Sequence, residues 1–335
     1  MFAAMNTRLL GPTGRSVSEI GLGTWQLGAG WGEVTDDVAL ETLRAAWESG
    51  VTFFDTADVY GDGRSERLIG RFLKETAGAK AAELFVATKL GRSGDPGWPE
   101  NFTRAAVREH TEASLQRLGV EALDLTQLHC VPVEVLKRGE LFGWLRELQT
   151  EGKIKAFGAS VESMDEALWC VAQPEVAALQ IIFNIFRQKP ARELFAAAGV
   201  KNVALIVRLP LASGLLAGKM TAATQFPAND HRNFNRDGQE FNVGETFAGL
   251  PFEKGVAFAE DLKAKVPAGW TMADWALRWC LDFEAVSVLI PGAKNPAQAK
   301  GNTRASALPR LSAEQHRELA EFYAREVAAF VRGPY

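Results

Sequence analysis

Eight short apolar runs recur along the chain, most of them roughly 23 to 40 residues apart. They predict strands over 19–25, 51–55, 84–89, 123–129, 154–160, 177–181, 203–208 and 285–290. The stretches between them have the apolar spacing of helices, as at Leu40, Leu43 and Trp47. Eight strand–helix units favour an α/β fold in which a parallel sheet closes into a (β/α)8 TIM barrel.

Capping residues predict where some of the helices begin and end. Thr35, followed by two aspartates, is typical of a helix start, and Gly50 is typical of its end. Ser65 is predicted to cap the second helix. A third helix is predicted over 103–118, closed by Gly119.

Two segments stand outside this alternation. Short runs at 8–10 and 15–17, separated by Gly11-Pro12-Thr13-Gly14, predict a small N-terminal hairpin. The stretch 218–251, rich in Gly, Asn, Asp and Arg, predicts a long loop after strand seven, at the C-terminal face of the barrel. No linker interrupts the chain, so a single domain is expected over 1–335.

Composition narrows the class of protein. The chain has 335 residues, 47% of them hydrophobic, and a net charge of −4, which is typical of a soluble globular protein and argues against a nucleic-acid binder. The three cysteines are far apart, so we expect a reducing compartment, no disulfides and no metal site. Neither a leader nor a run of 18 apolar residues is evident, so we expect a cytoplasmic protein with no membrane partner.

Three neighbouring predicted strands end in an ionisable residue. Side chains alternate faces along a strand, which places Asp55, Lys89 and His129 at the C-terminal ends of inward-facing rows. Tyr60 lies five residues beyond Asp55, in a chain with only three tyrosines. The parity and the strand order bring the four groups to one rim.

This set of residues is suited to proton transfer. A phenol has an ordinary pKa near 10, and a neighbouring ammonium lowers that pKa by stabilising the phenolate. Asp55 would hold Lys89 charged, and His129 would bind a carbonyl oxygen. Tyr60, Lys89, Asp55 and His129 together can protonate an oxyanion as hydride reaches the adjacent carbon.

Several ordered motifs resemble the aldo-keto reductase superfamily. They are FFDTADVYGDGRSERLIG, FVATKLG, LDLTQLH, PLASGLLAGK and IPGAKNPAQAKGN, and together they span nearly the whole chain. The resemblance implies a barrel that binds NADP(H) without a Rossmann domain and needs no metal. It implies that Tyr60 is the general acid, that Lys89 tunes it, that Asp55 pairs with Lys89 and that His129 orients the carbonyl.

The resemblance also implies which residues hold the cofactor. The nicotinamide end would be held by Asp55, Ser160 and Gln180, although Val161 replaces a usual asparagine and Arg208 replaces a usual aromatic residue. A pyrophosphate loop is implied at 210–215, and the adenosine half is implied near the C-terminus. The implied cofactor-binding residues are Gly23, Thr24, Trp25, Asp55, Ser160, Gln180, Arg208, Pro210, Leu211, Ser213, Gly214, Leu215, Lys219, Gly292, Lys294, Gln298 and Asn302. Lys294 suits a 2′-phosphate, which favours NADP(H) and leaves use of NAD(H) open.

The substrate is expected to be a small-molecule carbonyl compound or alcohol. Trp25, Tyr60, His129 and Trp98 are the candidates for binding it. A monomer or small homo-oligomer is expected.

Two other functions remain open on the sequence. The first is an NADPH-binding sensor or regulatory barrel with little turnover, since such proteins in this superfamily keep the same four residues. The second is a lyase that uses Lys89 as a Schiff-base amine. Asp55 opposes the lyase, because it would keep Lys89 protonated.

Overall fold

A barrel of parallel strands forms the centre of the molecule. The structure, a computed structural model, describes residues 5–76, 80–94 and 97–335. A separate antiparallel hairpin comes first, with β1 at Thr7–Leu9 and β2 at Ser16–Ser18. The barrel strands are β3 (Leu22–Gly23), β4 (Phe53–Asp55), β5 (Phe85–Leu90), β6 (Leu125–His129), β7 (Phe157–Ser160), β8 (Val176–Ile182), β9 (Ala204–Arg208) and β10 (Val286–Leu289).

The barrel strands pair in chain order and the first meets the last. All pairs from β3 to β10 are parallel. Parallel bridges from Ile20 to Leu289 and from Gly23 to Gly292 join the two edges. The predicted (β/α)8 TIM barrel is therefore confirmed, as is the N-terminal hairpin.

Helices surround the barrel and bury their apolar faces against it. The longer ones are α1 (Asp36–Glu48), α2 (Arg64–Glu75), α3 (Arg104–Leu118), α4 (Glu140–Thr150), α5 (Met164–Val171), α6 (Phe252–Lys263), α7 (Met272–Leu281), α8 (Pro296–Thr303) and α9 (Ala313–Phe322). Shorter α-helical turns lie at Trp25–Gly28, Val133–Leu136, Lys189–Glu193, Phe195–Val200 and His231–Phe234.

Of the two residues predicted to cap helix starts, Thr35 was predicted correctly. Thr35 accepts a hydrogen bond from the Val38 amide and Thr103 accepts one from Ala106. Ser65 was predicted wrongly as a cap: α2 begins at Arg64 after Gly63, whose left-handed φ of 74° makes the turn. The Ser65 hydroxyl is buried instead and bonds to the hydroxyls of Thr24 and Thr56.

The first barrel strand is shorter than predicted. It ends at Gly23, and Trp25 begins a short helix rather than ending a strand. The chain leaves the extended conformation at Thr24, because its amide and its hydroxyl both donate to the Asp55 carbonyl. This turn brings the Trp25 ring over the end of the barrel.

The hairpin covers the N-terminal end of the barrel. Leu10 and Val17 are buried in one cluster with inward-facing side chains such as Phe53, Phe85 and Leu125. Gly11 makes this contact possible, since a Cβ there would lie 2.8 Å from the Asn202 carbonyl oxygen. The opposite, C-terminal end stays open to ligands.

The long segment 218–251 follows β9 and lies at that open end, as predicted. It contains the turn His231–Phe234 and two 3-10 turns at Val243–Glu245 and Phe247–Gly249. Within the described ranges, no helix is both long and apolar enough to cross a membrane. The single domain over 1–335 stays a prediction, and its residues 1–4, 77–79 and 95–96 lie outside the described residues.

Candidate active site

A cleft of about 740 Å³ opens at the C-terminal end of the barrel. The loops after the strands and the long segment 218–251 form its walls. Most of the residues predicted from the sequence line it: Gly23, Trp25, Asp55, Tyr60, His129, Ser160, Gln180, Arg208, Pro210, Leu211, Ser213, Gly214, Lys219, Gly292, Lys294, Gln298 and Asn302. Residues far apart in the chain therefore meet in one cavity.

Lys89 connects Asp55 to Tyr60 at the floor of the cleft. Its Nζ lies 2.7 Å from Asp55 Oδ2 and 3.2 Å from the Tyr60 hydroxyl oxygen. The ammonium also donates to the Thr56 carbonyl at 2.8 Å. Lys89 and Asp55 are both buried. The acid and the base predicted at neighbouring strand ends thus form a buried ion pair beside the phenol.

Burial and charge act on these groups in opposite directions. Burial alone would lower the pKa of Lys89, but Asp55 and Tyr60 together outweigh burial and raise that pKa. Lys89 therefore stays an ammonium, which opposes its use as a Schiff-base amine. Burial raises the pKa of Tyr60, and the Lys89 ammonium lowers it by less, so the phenol stays protonated. The expected influence of lysine is present, but the net shift of the Tyr60 pKa is upward.

Packing fixes the Tyr60 ring. The Trp25 ring stacks against it at a centroid distance of 6.0 Å, and the His129 ring meets it edge-on, also at 6.0 Å. Gly28 approaches the Tyr60 backbone so closely that a Cβ would lie 2.7 Å from it. The phenol therefore has little freedom to leave Lys89.

His129 is a neutral imidazole. Burial lowers its pKa well below the ordinary value, and the cations Arg92, Lys89 and Arg208 lower it further. Its Nδ1 has no hydrogen-bond partner among the residues that the structure describes. A neutral imidazole has one donor nitrogen, which suits it to hold a carbonyl oxygen without losing a proton.

Polar side chains continue from Asp55 along the rim. Gln180 Nε2 donates to Asp55 Oδ1 at 2.7 Å, and Gln127 Nε2 lies 3.5 Å from the same oxygen. Ser160 lies beside Gln180, because β7 and β8 pair these two residues in register. An amide and a hydroxyl therefore face the cleft next to the phenol.

The loop after β9 has an unusual backbone. Leu209, Ala212 and Ser213 all have left-handed φ values, between 48° and 55°. Each costs roughly 1–3 kcal/mol for a residue with a side chain. The surrounding structure must impose this conformation, which turns the loop toward the cleft.

The far end of the cleft is positively charged. Lys219, Lys294, Arg232 and Arg304 line it. Arg232 donates to Asp230 at 2.6 Å, and Lys294 lies 3.7 Å from the same carboxylate. Burial and Arg232 lower the pKa of Lys294 against the influence of Asp230. An anion bound here would relieve the repulsion between the two cations.

Comparison with known proteins agrees with this geometry. The model of the Aldo/keto reductase family matches residues 19–324. The aldo-keto reductase YhdN of Bacillus subtilis (strain 168) is 31% identical over 296 residues, which cover 85% of this chain and 84% of that protein. The NADH-specific methylglyoxal reductase of Escherichia coli (strain K12) is 31% identical over 228 residues, 63% of this chain and 69% of that protein.

A solved structure is similar over the whole length. The glycerol dehydrogenase AKR11B4 from Gluconobacter oxydans has a TM-score of 0.78 and 30% sequence identity, with 97% of each chain covered. The chain belongs to the aldo/keto reductase family. It is an oxidoreductase of the aldo-keto reductase type, and enzymes of this type use nicotinamide cofactors.

Four residues predicted for the aldo-keto reductase site do not line the cleft. Thr24 and Leu215 are fully buried in the protein, and Lys89 lies below the cleft with its Nζ 3.2 Å from the Tyr60 hydroxyl oxygen. Trp98 is 46% exposed and lies outside the cleft, with its indole NH donating to the Cys130 carbonyl. Trp31 also lines the cavity.

The sequence missed several charged residues of this site. Arg232 and Glu245 lie in the long segment, where no periodicity indicates which side chains turn inward. Arg304 follows Asn302 by two residues. Its position next to the residues implied for the adenosine half is the sequence signal that could have identified it. Arg92 and Glu162, which pair at 3.3 Å, follow strand ends but fall outside every motif.

Proposed function

We propose that this aldo-keto reductase transfers hydride between NADP(H) and an aldehyde or ketone, with Tyr60 as the proton donor. The position of Lys89 carries the proposal. Its ammonium lies between the Asp55 carboxylate and the Tyr60 hydroxyl, at the floor of a cleft large enough for a dinucleotide end and a small substrate.

The protein's part in the reaction is to deliver one proton. As the carbonyl carbon accepts hydride, the electron pair of its double bond moves to oxygen, and that oxygen takes the Tyr60 proton. The hydride comes from the reduced nicotinamide ring when it is bound. Lys89 stabilises the phenolate that remains, and Asp55 keeps Lys89 charged. The reverse sequence oxidises an alcohol.

His129 is proposed to position the substrate. It is neutral and its ring meets the Tyr60 ring edge-on. A neutral donor can hold the carbonyl oxygen near the phenol without competing as the acid.

The donors along the cleft fit a nicotinamide dinucleotide. Ser160 and Gln180 would hold the carboxamide, next to Tyr60. The small residues Ser213 and Gly214, in the left-handed loop after β9, would let backbone amides approach the pyrophosphate. Gln298 and Asn302 line the adenosine end.

The cations at the adenosine end of the cleft favour binding of a phosphate on the ribose. Lys294 is half-buried, close to Arg232 and only partly balanced by Asp230. A dianion would gain from both cations, which favours NADP(H). Because one relative is named as NADH-specific, NAD(H) must be measured beside it.

The aromatic rings suit a small organic carbonyl compound. Trp25 and Trp31 lie edge-on, 5.6 Å apart between centroids, and Phe241 lies 6.0 Å from Trp25. These rings form an apolar wall beside Tyr60.

A kinetic panel tests the proposal. Purified protein is supplied with NADPH or NADH and with aldehydes, ketones, dicarbonyls, quinones and sugars, and oxidation of the cofactor is followed by absorbance. Turnover of a carbonyl compound, faster with NADPH, is expected. Tight NADPH binding without turnover of any compound would instead favour the sensor function.

A further inference from the structure

Four largely buried charged side chains lie beside the nicotinamide end of the cleft. Arg92 Nη2 lies 3.3 Å from Glu162 Oε1 and 3.3 Å from Glu245 Oε1. Arg208 Nη1 lies 3.7 Å from Glu245 Oε2. Each side chain is at most 16% exposed. We call these four residues the charge cluster.

Glu245 is the residue that joins the cluster. It is the carboxylate within ion-pair distance of both guanidinium groups. Burial would raise its pKa, but Arg92 and Arg208 outweigh burial and lower that pKa to about 2. Glu245 is therefore an anion at every pH at which the enzyme would work.

The backbone of Glu245 is tied to the loop after β9. Ser213 Oγ donates to the Glu245 carbonyl at 3.4 Å and accepts from the Phe247 amide at 3.0 Å. Ser213 is one of the left-handed residues proposed at the pyrophosphate. Glu245 thus contacts both the phosphate loop, through its backbone, and Arg208, through its side chain.

Arg208 has a buried donor, Nε–H, without a hydrogen-bond partner in the described part of the chain. Its Nη2 donates to the Val161 carbonyl at 3.3 Å and its Nη1 faces Glu245. Arg208 lines the cleft. A buried donor left unsatisfied costs about 1–3 kcal/mol, and a bound acceptor would recover that cost.

The same atoms do not form a cation site. Cys130, Glu162 and Glu245 offer ligand atoms within 4.8 Å of one another. However, two guanidinium groups already contact these carboxylates. Their positive charge opposes a metal ion at this position.

We infer that Glu245 is a positioning residue for the nicotinamide end, which holds the Arg208 guanidinium against the wall of the cleft so that this guanidinium can donate to the bound nicotinamide carboxamide. This inference rests on the proposed function, because it needs a nicotinamide in the cleft. It assigns a role to the long segment 218–251: docking of the segment prepares the nicotinamide end.

Binding measurements on two matched variants test the inference. Glu245→Gln keeps the shape of the side chain and removes its charge. Glu240→Gln makes the same change at an exposed position of the same segment. Each variant is titrated with NADPH and with 2′,5′-ADP, which carries the adenosine and 2′-phosphate groups but no nicotinamide.

Glu245→Gln is expected to weaken NADPH binding about tenfold, the usual worth of a charge-assisted contact, and to leave 2′,5′-ADP binding within about twofold. Glu240→Gln should leave both unchanged. Arg208→Gln should weaken NADPH similarly, and the double variant should be no weaker than either single one, because both changes remove one contact.

Two results would overturn the inference. Unchanged NADPH binding by Glu245→Gln would remove the role of Glu245. Equal weakening of NADPH and 2′,5′-ADP would show that Glu245 only supports the fold of the segment. A wild-type protein that binds 2′,5′-ADP but not NADPH would overturn the proposed function itself, and this inference with it.

Discussion

The two ends of the cleft hold their charges in different ways. At the reactive end, Lys89 and Asp55 are buried and joined at 2.7 Å, on paired neighbouring strands. At the adenosine end, the Lys294 side chain is 31% exposed and lies 3.7 Å from its partner Asp230, on loops. We expect the first arrangement to fix geometry for chemistry, and the second to attract an anion while tolerating small movements.

This difference predicts the size of the effect of a substitution. A buried, fixed group is hard to replace, because water cannot enter to take over its role. A half-exposed cation contributes less, because water and salt screen it. Changes at the reactive end should therefore alter rates by orders of magnitude, and changes at the other end should alter affinity by small factors.

The largest effect is expected from Tyr60→Phe. Carbonyl reduction should fall by roughly 10²- to 10⁴-fold, the usual contribution of a general acid, while NADPH binding is retained. Steady-state rates and a fluorescence titration measure the two quantities. Tyr323→Phe, which removes a hydroxyl outside the cleft and near the C-terminus, is the control. Full activity of Tyr60→Phe would exclude its role as acid.

Lys89→Met should lose activity and stability together. It leaves Asp55 as an unpaired buried charge, which costs about 3–5 kcal/mol. Adding Asp55→Asn should restore much of the thermal stability without restoring turnover. If the double variant recovered its activity, the ion pair would be structural and the phenol would need no ammonium beside it.

Lys294→Ala should act on affinity alone. NADPH should bind about 3- to 10-fold more weakly, since a half-exposed ion pair is worth about 1 kcal/mol, and NADH should change by less than about twofold. Lys300→Ala, an exposed lysine on the adjacent helix, is the matched control. Equal weakening of NADPH binding and NADH binding would show that Lys294 does not contact the 2′-phosphate.

The smallest effect is expected from pH at the charge cluster. Burial and the neighbouring Glu245 raise the pKa of Glu162 to about 7, against the influence of Arg92 and Arg208. Cys130 contacts Glu245 and Arg208. Below that pH the cluster carries one net positive charge (two arginines and Glu245), and above it the cluster is neutral. NADP⁺, with its cationic ring, should therefore bind better relative to NADPH as the pH rises through about 7, by about 2- to 5-fold.

Glu162→Gln tests the origin of that pH effect. The variant resembles the protonated form, so the ratio of the two dissociation constants should stay at its low-pH value. A ratio that still changes near pH 7 in this variant would assign the effect to another group.

The sequence predicted the reactive end better than the rest, for a physical reason. Side chains alternate along a strand and parallel strands end at one rim, so Asp55, Lys89 and His129 could be placed together by counting. The position of Tyr60 at the same rim could also be predicted, because Tyr60 follows Asp55 in a short loop. The assigned roles of these residues stay predictions until the variants are measured.

The sequence of the loops predicted side-chain positions less well than the sequence of the strands did. Whether Trp25 would extend a strand or begin a helix depends on hydrogen bonds from Thr24 to a distant strand. Glu245 reaches Arg92 and Arg208 only because a long segment without periodicity folds back over the cleft. Trp98 was expected at the substrate, but the path of its loop places it outside the cavity.

The N-terminal hairpin has a consequence for how the enzyme would turn over. Leu10 and Val17 close the lower mouth of the barrel. The cofactor and the substrate must then both enter and leave through the open C-terminal end of the barrel. Because the dinucleotide is proposed to lie deeper, along the strand ends, we expect an ordered cycle in which the nucleotide enters first and leaves last.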